Sequence, residues 1–184
     1  MLAGGHRQDQ GPAQLTLAEL NSLALLAFVD RLGGVFEHSP WVAECAFKER
    51  PFSSVDALHR AMTNALHDAS VEEQIALVRA HPELAGTEAT KGQLTRDSSS
   101  EQGRLGFVAL DKHEFQKIAG LNRRYRDKFG FPCIVALRLH GTRASVLDEM
   151  ERRLDNTFDA ELYYALQQIG HIARGRLAKM LGEE

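Results

Sequence analysis

The chain has 184 residues and a net charge of -3, with 22 basic and 25 acidic side chains. This length suits one domain whose core buries roughly 70% of the surface of the unfolded chain. The mixed, nearly balanced charge argues against a nucleic-acid partner or an anionic membrane surface. The longest apolar run, residues 23–29, is far shorter than the roughly 20 residues that a membrane-spanning helix needs. Cys45 and Cys133 have no metal or redox spacing, which indicates reduced thiols in a cytoplasmic protein.

Helical patterns dominate the chain after its first residues. Residues 1–14 lack the apolar segment of a signal peptide and are predicted to form a flexible tail, followed by one domain over residues 15–184. In that domain, apolar residues recur at helical spacing with almost no alternation of the strand type, which predicts an all-α, single-domain bundle of about eight helices. A capping box of Thr16 and Glu19 begins the first helix, which is expected to continue to the glycine pair at residues 33–34.

Seven further helices are predicted from similar signals. Ser70 with Glu73, and Ser98 with Glu101, have the spacing of two more capping boxes before apolar runs. The segment 131–139 is short and apolar, so it could form a buried helix or a strand. In chain order, the seven helices are predicted over residues 41–50, 55–69, 71–80, 101–110, 112–129, 144–154 and 158–181.

Arg176 is out of place in the final helix. It falls on the apolar stripe that marks the buried face of that helix. A buried guanidinium needs a carboxylate or an anionic ligand to bind its planar set of donors. The spacing leaves two interpretations open: Arg176 binds an anionic ligand, or it forms a structural ion pair or reaches solvent from the helix end.

His81 is set directly before Pro82 at the end of a predicted helix. The dipole at a helix carboxyl end favours the imidazolium, so His81 is predicted to be a proton donor near neutral pH. A histidine also commonly ends a helix without any catalytic role. Glu101 has a similarly plain alternative, because the third residue after a cap often binds the cap backbone.

The chain lacks the sequence motifs of several common classes of enzyme and binding protein. The chain has no glycine-rich nucleotide motif, no zinc-protease motif and no hydrolase serine motif. Its eight histidines show no ligand spacing, so no metal site is predicted. The basic run at residues 122–128 is typical of the solvent-exposed face of a helix, and no nucleic-acid partner is predicted from it.

Six short blocks together resemble one family, the 2-oxo-4-hydroxy-4-carboxy-5-ureidoimidazoline (OHCU) decarboxylases. The resemblance runs from about Leu17 to Leu181 and implies an all-helical, usually homodimeric enzyme without metal or organic cofactor. Such an enzyme acts on a small molecule, converting OHCU to (S)-allantoin and carbon dioxide in the third step from urate. The blocks are HSPWVAE (38–44), RPF (50–52), HPELAG (81–86), LTRDSSSEQ (94–102), LNRRYRDKFGFP (121–132) and IARGRL (172–177).

The resemblance also implies roles for particular residues. His81 takes the place of the catalytic histidine, Glu101 that of its acidic partner, and Arg176 that of the substrate-orienting arginine. The positions that match the substrate-binding pocket of the family are Pro82, Ser98, Ser99, Ser100, Glu101, Gln102, Cys133, Ile134, Val135, Ala136 and Leu137.

One position departs from the family, which commonly has FGFPF where this chain has FGFPC, ending at Cys133. If that segment mainly offers backbone hydrogen bonds, the change has little effect. If the phenylalanine ring of the family stacks on the substrate, its absence here lowers the affinity for the substrate. Two alternatives to this decarboxylase remain open at this point. One is a helical binding module that holds a peptide near FGFP, and the other is a decarboxylase of a related ureido or purine-derived acid.

Overall fold

The computed structural model describes residues 15–183, and the predicted tail at residues 1–14 lies outside them. Within the described residues the chain forms helices and loops without a β-strand, which confirms the predicted all-α class. Eight of these helices have seven or more residues, as the sequence predicted. The helices are α1 (Leu17–Ser22), α2 (Leu25–Leu32), α3 (Trp41–Phe47), α4 (Val55–Asp68), α5 (Val71–Ala80), α6 (Thr87–Thr90), α7 (Arg96–Arg104), α8 (Lys112–Phe129), α9 (Arg143–Arg153) and α10 (Phe158–Leu181), with a 3-10 turn at Leu137–Leu139.

The longest helix, α10, organises the bundle. It packs against α4, α5 and the 3-10 turn, and its apolar stripe is buried as predicted. The hydroxyl of Thr157 accepts a hydrogen bond from the N–H of Ala160 at 3.4 Å, which caps the first turn. Gly182 ends the helix with a φ of 75°, a left-handed conformation that glycine adopts without strain. This central position lets α10 present side chains to several other elements.

The predicted first helix is interrupted, because Leu23 and Ala24 between α1 and α2 have extended backbone. Arg50 explains the interruption. Its Nη1 donates to the carbonyl oxygens of Asn21 at 2.9 Å and Leu23 at 2.7 Å, which a continuous helix would use for its own hydrogen bonds. The side chain of Asn21 also binds the backbone N–H and carbonyl of Phe52. These contacts across about thirty residues of chain outweigh the local helical pattern.

The start of α7 differs from the prediction in a way that matters for the site. Thr95 is the capping residue, and its hydroxyl accepts a hydrogen bond from the N–H of Ser98 at 3.3 Å. The predicted capping box of Ser98 and Glu101 is therefore wrong, and both residues lie inside the helix. Residues three and four apart share one face of a helix, so Ser98, Glu101 and Gln102 project to the same side of α7.

The segment 131–136 is neither the helix nor the strand that the sequence left open. It is an irregular stretch whose backbone is bound by buried side chains of the last two helices. Nη1 of Arg153 donates to the carbonyl of Ile134 at 2.6 Å, and Oε1 of Gln168 accepts from the N–H of Ala136 at 2.9 Å. These bonds satisfy polar groups that would otherwise be buried without partners.

Arg153 belongs to a fully buried polar cluster. Its Nε lies 2.9 Å from Oε1 of Glu161, and the hydroxyl of Tyr125 donates to the same carboxylate oxygen. Asn156 donates to the other oxygen at 2.7 Å. Burial raises the pKa of Glu161 to about 8, whereas the adjacent guanidinium of Arg153 favours the ionised carboxylate. The hydrogen bonds make the cluster stable inside the protein, but removal of one partner leaves the other without compensation.

We expect Arg153→Leu to lower the free energy of unfolding by about 3–5 kcal/mol, because it leaves the buried Glu161 without its counter-ion. Urea unfolding followed by circular dichroism measures this change. Arg152→Leu is the matched control, since Arg152 pairs with Glu149 at the surface and should change stability by less than about 1 kcal/mol. Equal losses in the two variants would contradict the importance of the buried pair.

Candidate active site

A cleft of about 460 Å³, counted to its open mouth, lies between α7, α10, the end of α5 and the segment 131–137. Without the open mouth its free volume is only about 50 Å³, but an adjoining groove of about 320 Å³ shares Glu101 and Arg176 with it. The groove is in the size range of sites that bind small molecules. Polar and charged groups lie on one part of the wall and apolar side chains on the rest. The lining residues are His81, Pro82, Leu84, Ser98, Glu101, Gln102, Cys133, Ile134, Val135, Leu137, Ile172 and Arg176.

Most of the residues singled out in the sequence line this cleft, but three do not. Ser99 and Ser100 are exposed, because they occupy the positions of α7 that project away from the face of Ser98 and Glu101. Ser100 borders a groove that adjoins the cleft. Ala136 is fully buried, and its N–H is bound by Gln168 and is not available to a ligand.

His81 caps the carboxyl end of α5 and is only 5% exposed. Its Nδ1 lies 2.9 Å from the carbonyl oxygen of Leu77. A carbonyl only accepts hydrogen bonds, so Nδ1 carries the proton and Nε2 carries the lone pair. Nε2 is buried and has no hydrogen-bond partner among the described residues. The imidazole therefore has one nitrogen fixed by the backbone and one available to a ligand in the cleft.

Burial determines the charge of this imidazole. It lowers the pKa of His81 to about 4, against the opposing effects of the hydrogen bond to Leu77 and the charge of Glu37. The prediction of an imidazolium near neutral pH is therefore wrong. The helix dipole favours the charged form, but the loss of water around the ring has the larger effect. At neutral pH His81 is a neutral group that can accept a proton at Nε2.

Arg176 of α10 forms a two-point ion pair with Glu101 of α7. Its Nε lies 2.9 Å from Oε1 and its Nη2 lies 2.8 Å from Oε2. The two interpretations of Arg176 are thus not exclusive, because the guanidinium has a carboxylate partner and also lines the cleft. Glu101 binds Arg176, whereas the tautomer of His81 is fixed by the backbone at Leu77.

Glu37 is a second buried carboxylate at this site, and the sequence analysis missed it. Its Oε1 accepts from the hydroxyl of Ser98 at 2.6 Å and lies 2.7 Å from Nη2 of Arg176. Burial alone would raise the pKa of Glu37, but the charge of Arg176 and the hydrogen bonds from Ser98 and Arg176 hold it below its ordinary value. Its other oxygen is buried without a partner among the described residues, like Nε2 of His81.

The sequence did contain a signal for Glu37. It directly precedes the block at 38–44, and a buried arginine in α10 needs carboxylates from elsewhere in the chain. Leu84 and Ile172 were also missed, although both lie inside quoted blocks and add apolar surface to the cleft.

Gln102 orients the loop that follows His81. Its Oε1 accepts from the N–H of Ala85 at 3.0 Å, and its Nε2 donates to the carbonyl of Glu83 at 3.2 Å. Nδ2 of Asn122 donates to the carbonyl of Leu84 at 2.9 Å. The loop therefore has several fixed backbone groups, and half of the hydrogen-bonding capacity of the Gln102 side chain is already used.

Cys133 lies on the cleft wall with its side chain buried. Burial raises the pKa of its thiol to about 12, so the sulfur is protonated near neutral pH. Only the thiolate is a strong nucleophile, which argues against covalent catalysis by Cys133.

Within residues 15–183, no group of three or more histidine, cysteine, aspartate or glutamate side chains is arranged to hold a metal ion. None of the helices there is long and apolar enough to cross a bilayer.

Comparison with known proteins identifies the family. The family model described as OHCU decarboxylase matches residues 21–178. A 2-oxo-4-hydroxy-4-carboxy-5-ureidoimidazoline decarboxylase of Haloferax volcanii is 40% identical over 171 residues, which cover 93% of this chain and 99% of that relative. The chain belongs to the OHCU decarboxylase family.

Two solved structures extend this relationship to the fold. The crystal structure of (S)-allantoin synthase superposes with a TM-score of 0.72 at 29% identity, covering 91% of this chain and 54% of that longer chain. An OHCU decarboxylase crystallised in the presence of (S)-allantoin has a TM-score of 0.61 at 25% identity, covering 77% of this chain and 91% of that chain. The helical arrangement described above is therefore similar to that of these two proteins.

We expect His81 to titrate near pH 4 and to carry its proton on Nδ1 at neutral pH. Long-range ¹H–¹⁵N spectra of the labelled protein report both the tautomer and the titration. The His81→Gln variant identifies the resonances, because only the His81 signals disappear. A midpoint at or above the ordinary value of about 6.5 would contradict the assignment of a neutral imidazole.

Proposed function

We propose that this chain decarboxylates OHCU to (S)-allantoin and carbon dioxide, the third step from urate to allantoin. The observation that carries the proposal is the convergence of His81, Glu101 and Arg176 on one small cleft in a member of the OHCU decarboxylase family. Residues 15–184 are the domain to which we assign this activity. The named relatives act on the same compound, and their similarity extends over nearly the whole chain.

The chemistry of OHCU defines what the site must supply. Its carboxylate is attached to a hydroxyl-bearing carbon next to an imine. Electrons from the breaking carbon–carbon bond move into the imine and do not remain on an isolated carbanion. The proposed reaction therefore requires no metal or organic cofactor. The protein must orient the carboxylate, move protons and protonate one face of the intermediate.

Arg176 suits the first task. Its planar guanidinium can bind a carboxylate through two parallel hydrogen bonds, an arrangement that it already forms with Glu101. The groove next to the cleft is bordered by Arg104, Arg138 and Lys179, with Asp97 as an acidic neighbour. This excess of basic side chains at the entrance supports an anionic small molecule as the ligand.

His81 suits the movement of protons. Neutral Nε2 accepts the proton of the substrate hydroxyl, and the imidazolium that forms delivers it to the former imine carbon. The hydroxyl becomes the carbonyl of allantoin, the former imine nitrogen takes a second proton from water, and the broken bond releases carbon dioxide. Because Leu77 fixes the ring through Nδ1, the proton arrives on one face of the intermediate, which gives a single enantiomer.

The rival interpretation of a peptide-binding module has less support. A peptide groove does not need a buried imidazole with a free nitrogen, whereas proton transfer does. A related ureido acid would use the same groups, so the choice of substrate is tested directly by the experiment below.

We also propose that the protein is a homodimer in the cytoplasm. The resemblance to a family of usually homodimeric enzymes supports the dimer, and the exposed Leu26 and Tyr163, at 84% and 57%, are apolar side chains that a second copy could cover. Cys45 and Cys133 are both free thiols, which supports a reducing compartment.

The decisive experiment generates OHCU in solution from urate and follows the circular dichroism of (S)-allantoin with and without the protein. We expect the protein to accelerate formation of (S)-allantoin, and His81→Gln to lower turnover by about 10² to 10⁴-fold, the range typical of a positioned acid or base. His59→Gln is the control, since His59 binds the carbonyl of Gly170 away from the cleft wall. Absence of acceleration by the wild-type protein would refute the proposed function, and full activity of His81→Gln would refute the role of His81 in proton transfer.

A further inference from the structure

Two carboxylates, Glu37 and Glu101, bind Arg176, and they differ in how deeply they are buried. The side chain of Glu37 is 1% exposed and is bound by both Ser98 and Arg176. The side chain of Glu101 is 34% exposed, and it borders both the cleft and the adjoining groove. Glu101 therefore has open space beside it, whereas Glu37 is enclosed by protein.

The backbone strengthens this contrast. Glu37 lies in the connection between α2 and α3 and has a φ of 51°, a left-handed conformation that is unusual for a residue other than glycine. The carbonyl of Val35 in the same connection accepts from Nη1 of Arg176 at 3.3 Å. This connection therefore holds the guanidinium at two points. The side chain of Glu37 has no open space into which it can rotate, whereas Glu101 has the cleft and the groove beside it.

The charges at the site create a difficulty for an anionic ligand. Arg176 contributes +1, Glu37 and Glu101 contribute -1 each, and His81 is neutral at pH 7, so the cluster carries a net charge of -1. In addition, Glu101 occupies Nε and Nη2, the edge of the guanidinium that a carboxylate binds through two hydrogen bonds. A ligand carboxylate cannot use that edge while Glu101 remains there.

We propose that the substrate carboxylate displaces Glu101 from Arg176, while Glu37 stays bound to Arg176 as its permanent counter-ion. This inference rests on the proposed function, because it assumes that the ligand is a carboxylate. In the free protein Glu101 thus occupies the place on Arg176 that the ligand carboxylate takes. Glu37 is the positioning residue that keeps Arg176 in place during the exchange. Once displaced, Glu101 is still on the cleft wall, where it can accept a hydrogen bond from a ring or ureido N–H of the substrate.

The test uses a stable ligand, so that it does not depend on turnover. Hydantoin-5-acetate carries a carboxylate on the same ring type as allantoin, and hydantoin is its neutral counterpart. Isothermal calorimetry measures both ligands with the wild-type protein, Glu101→Gln and Glu37→Gln. The two substitutions are matched, because each removes one negative charge next to Arg176 with little change in shape. A difference between them therefore reports the exchange and not the general electrostatic field.

We expect Glu101→Gln to bind hydantoin-5-acetate about tenfold or more tightly than the wild type, since a competing charged hydrogen-bond partner is removed. Glu37→Gln should gain clearly less, and neither substitution should change the affinity for hydantoin by a similar factor. Equal gains in the two variants, a larger gain in Glu37→Gln, or no binding of the carboxylate by Glu101→Gln would overturn the proposal. Absence of OHCU turnover by the wild-type protein, with these binding results intact, would instead count against the proposed function.

A second measurement covers the case in which Glu37→Gln does not fold. A crystal structure of the wild-type protein with hydantoin-5-acetate should show the ligand carboxylate on Nε and Nη2 of Arg176, with Glu101 moved away and Glu37 still in contact with Arg176. A structure in which Glu101 keeps both hydrogen bonds and the ligand carboxylate lies elsewhere would overturn the proposal.

Discussion

The site depends on a guanidinium buried between three parts of the chain. Arg176 of α10 is bound by Glu101 of α7, by Glu37 and Val35 of the connection between α2 and α3, and by Ser98. A charge in this position is tolerated only because carboxylates and a carbonyl satisfy its donors. The same contacts bring α7 and α10 together around the cleft, so the requirement to compensate one charge also shapes the place where a ligand binds.

Different side chains bind the anion and transfer the proton. Arg176 carries a permanent positive charge, whereas burial keeps His81 neutral with its free nitrogen in the cleft region. A neutral imidazole beside an anionic ligand becomes a stronger base, because the imidazolium gains a partner when it forms. The site therefore holds an anion with one group and transfers a proton with another, without a requirement for a nucleophile from the protein.

Local signals in the sequence were sufficient to predict a helix where its position depends only on its own residues. The caps at Thr16 and Ser70 and the apolar stripe of α10 all appear as predicted. Prediction failed where distant contacts decide the outcome. Arg50 interrupts the first helix from about thirty residues away, and burial by other segments reverses the expected charge of His81. Glu37 gave no periodic signal, because it lies in an irregular turn and its role depends on Arg176, which is far away in sequence.

Arg176→Lys tests whether Arg176 binds the ligand or only stabilises the fold. Lysine keeps the charge but cannot bind a carboxylate through a planar fork. We expect kcat/KM for OHCU to fall by about 100-fold or more, while the free energy of unfolding falls by less than about 2 kcal/mol. Arg174→Lys, on the exposed side of the same helix, should leave both values nearly unchanged. Full turnover of Arg176→Lys together with a large loss of stability would show that Arg176 stabilises the fold and does not bind the substrate.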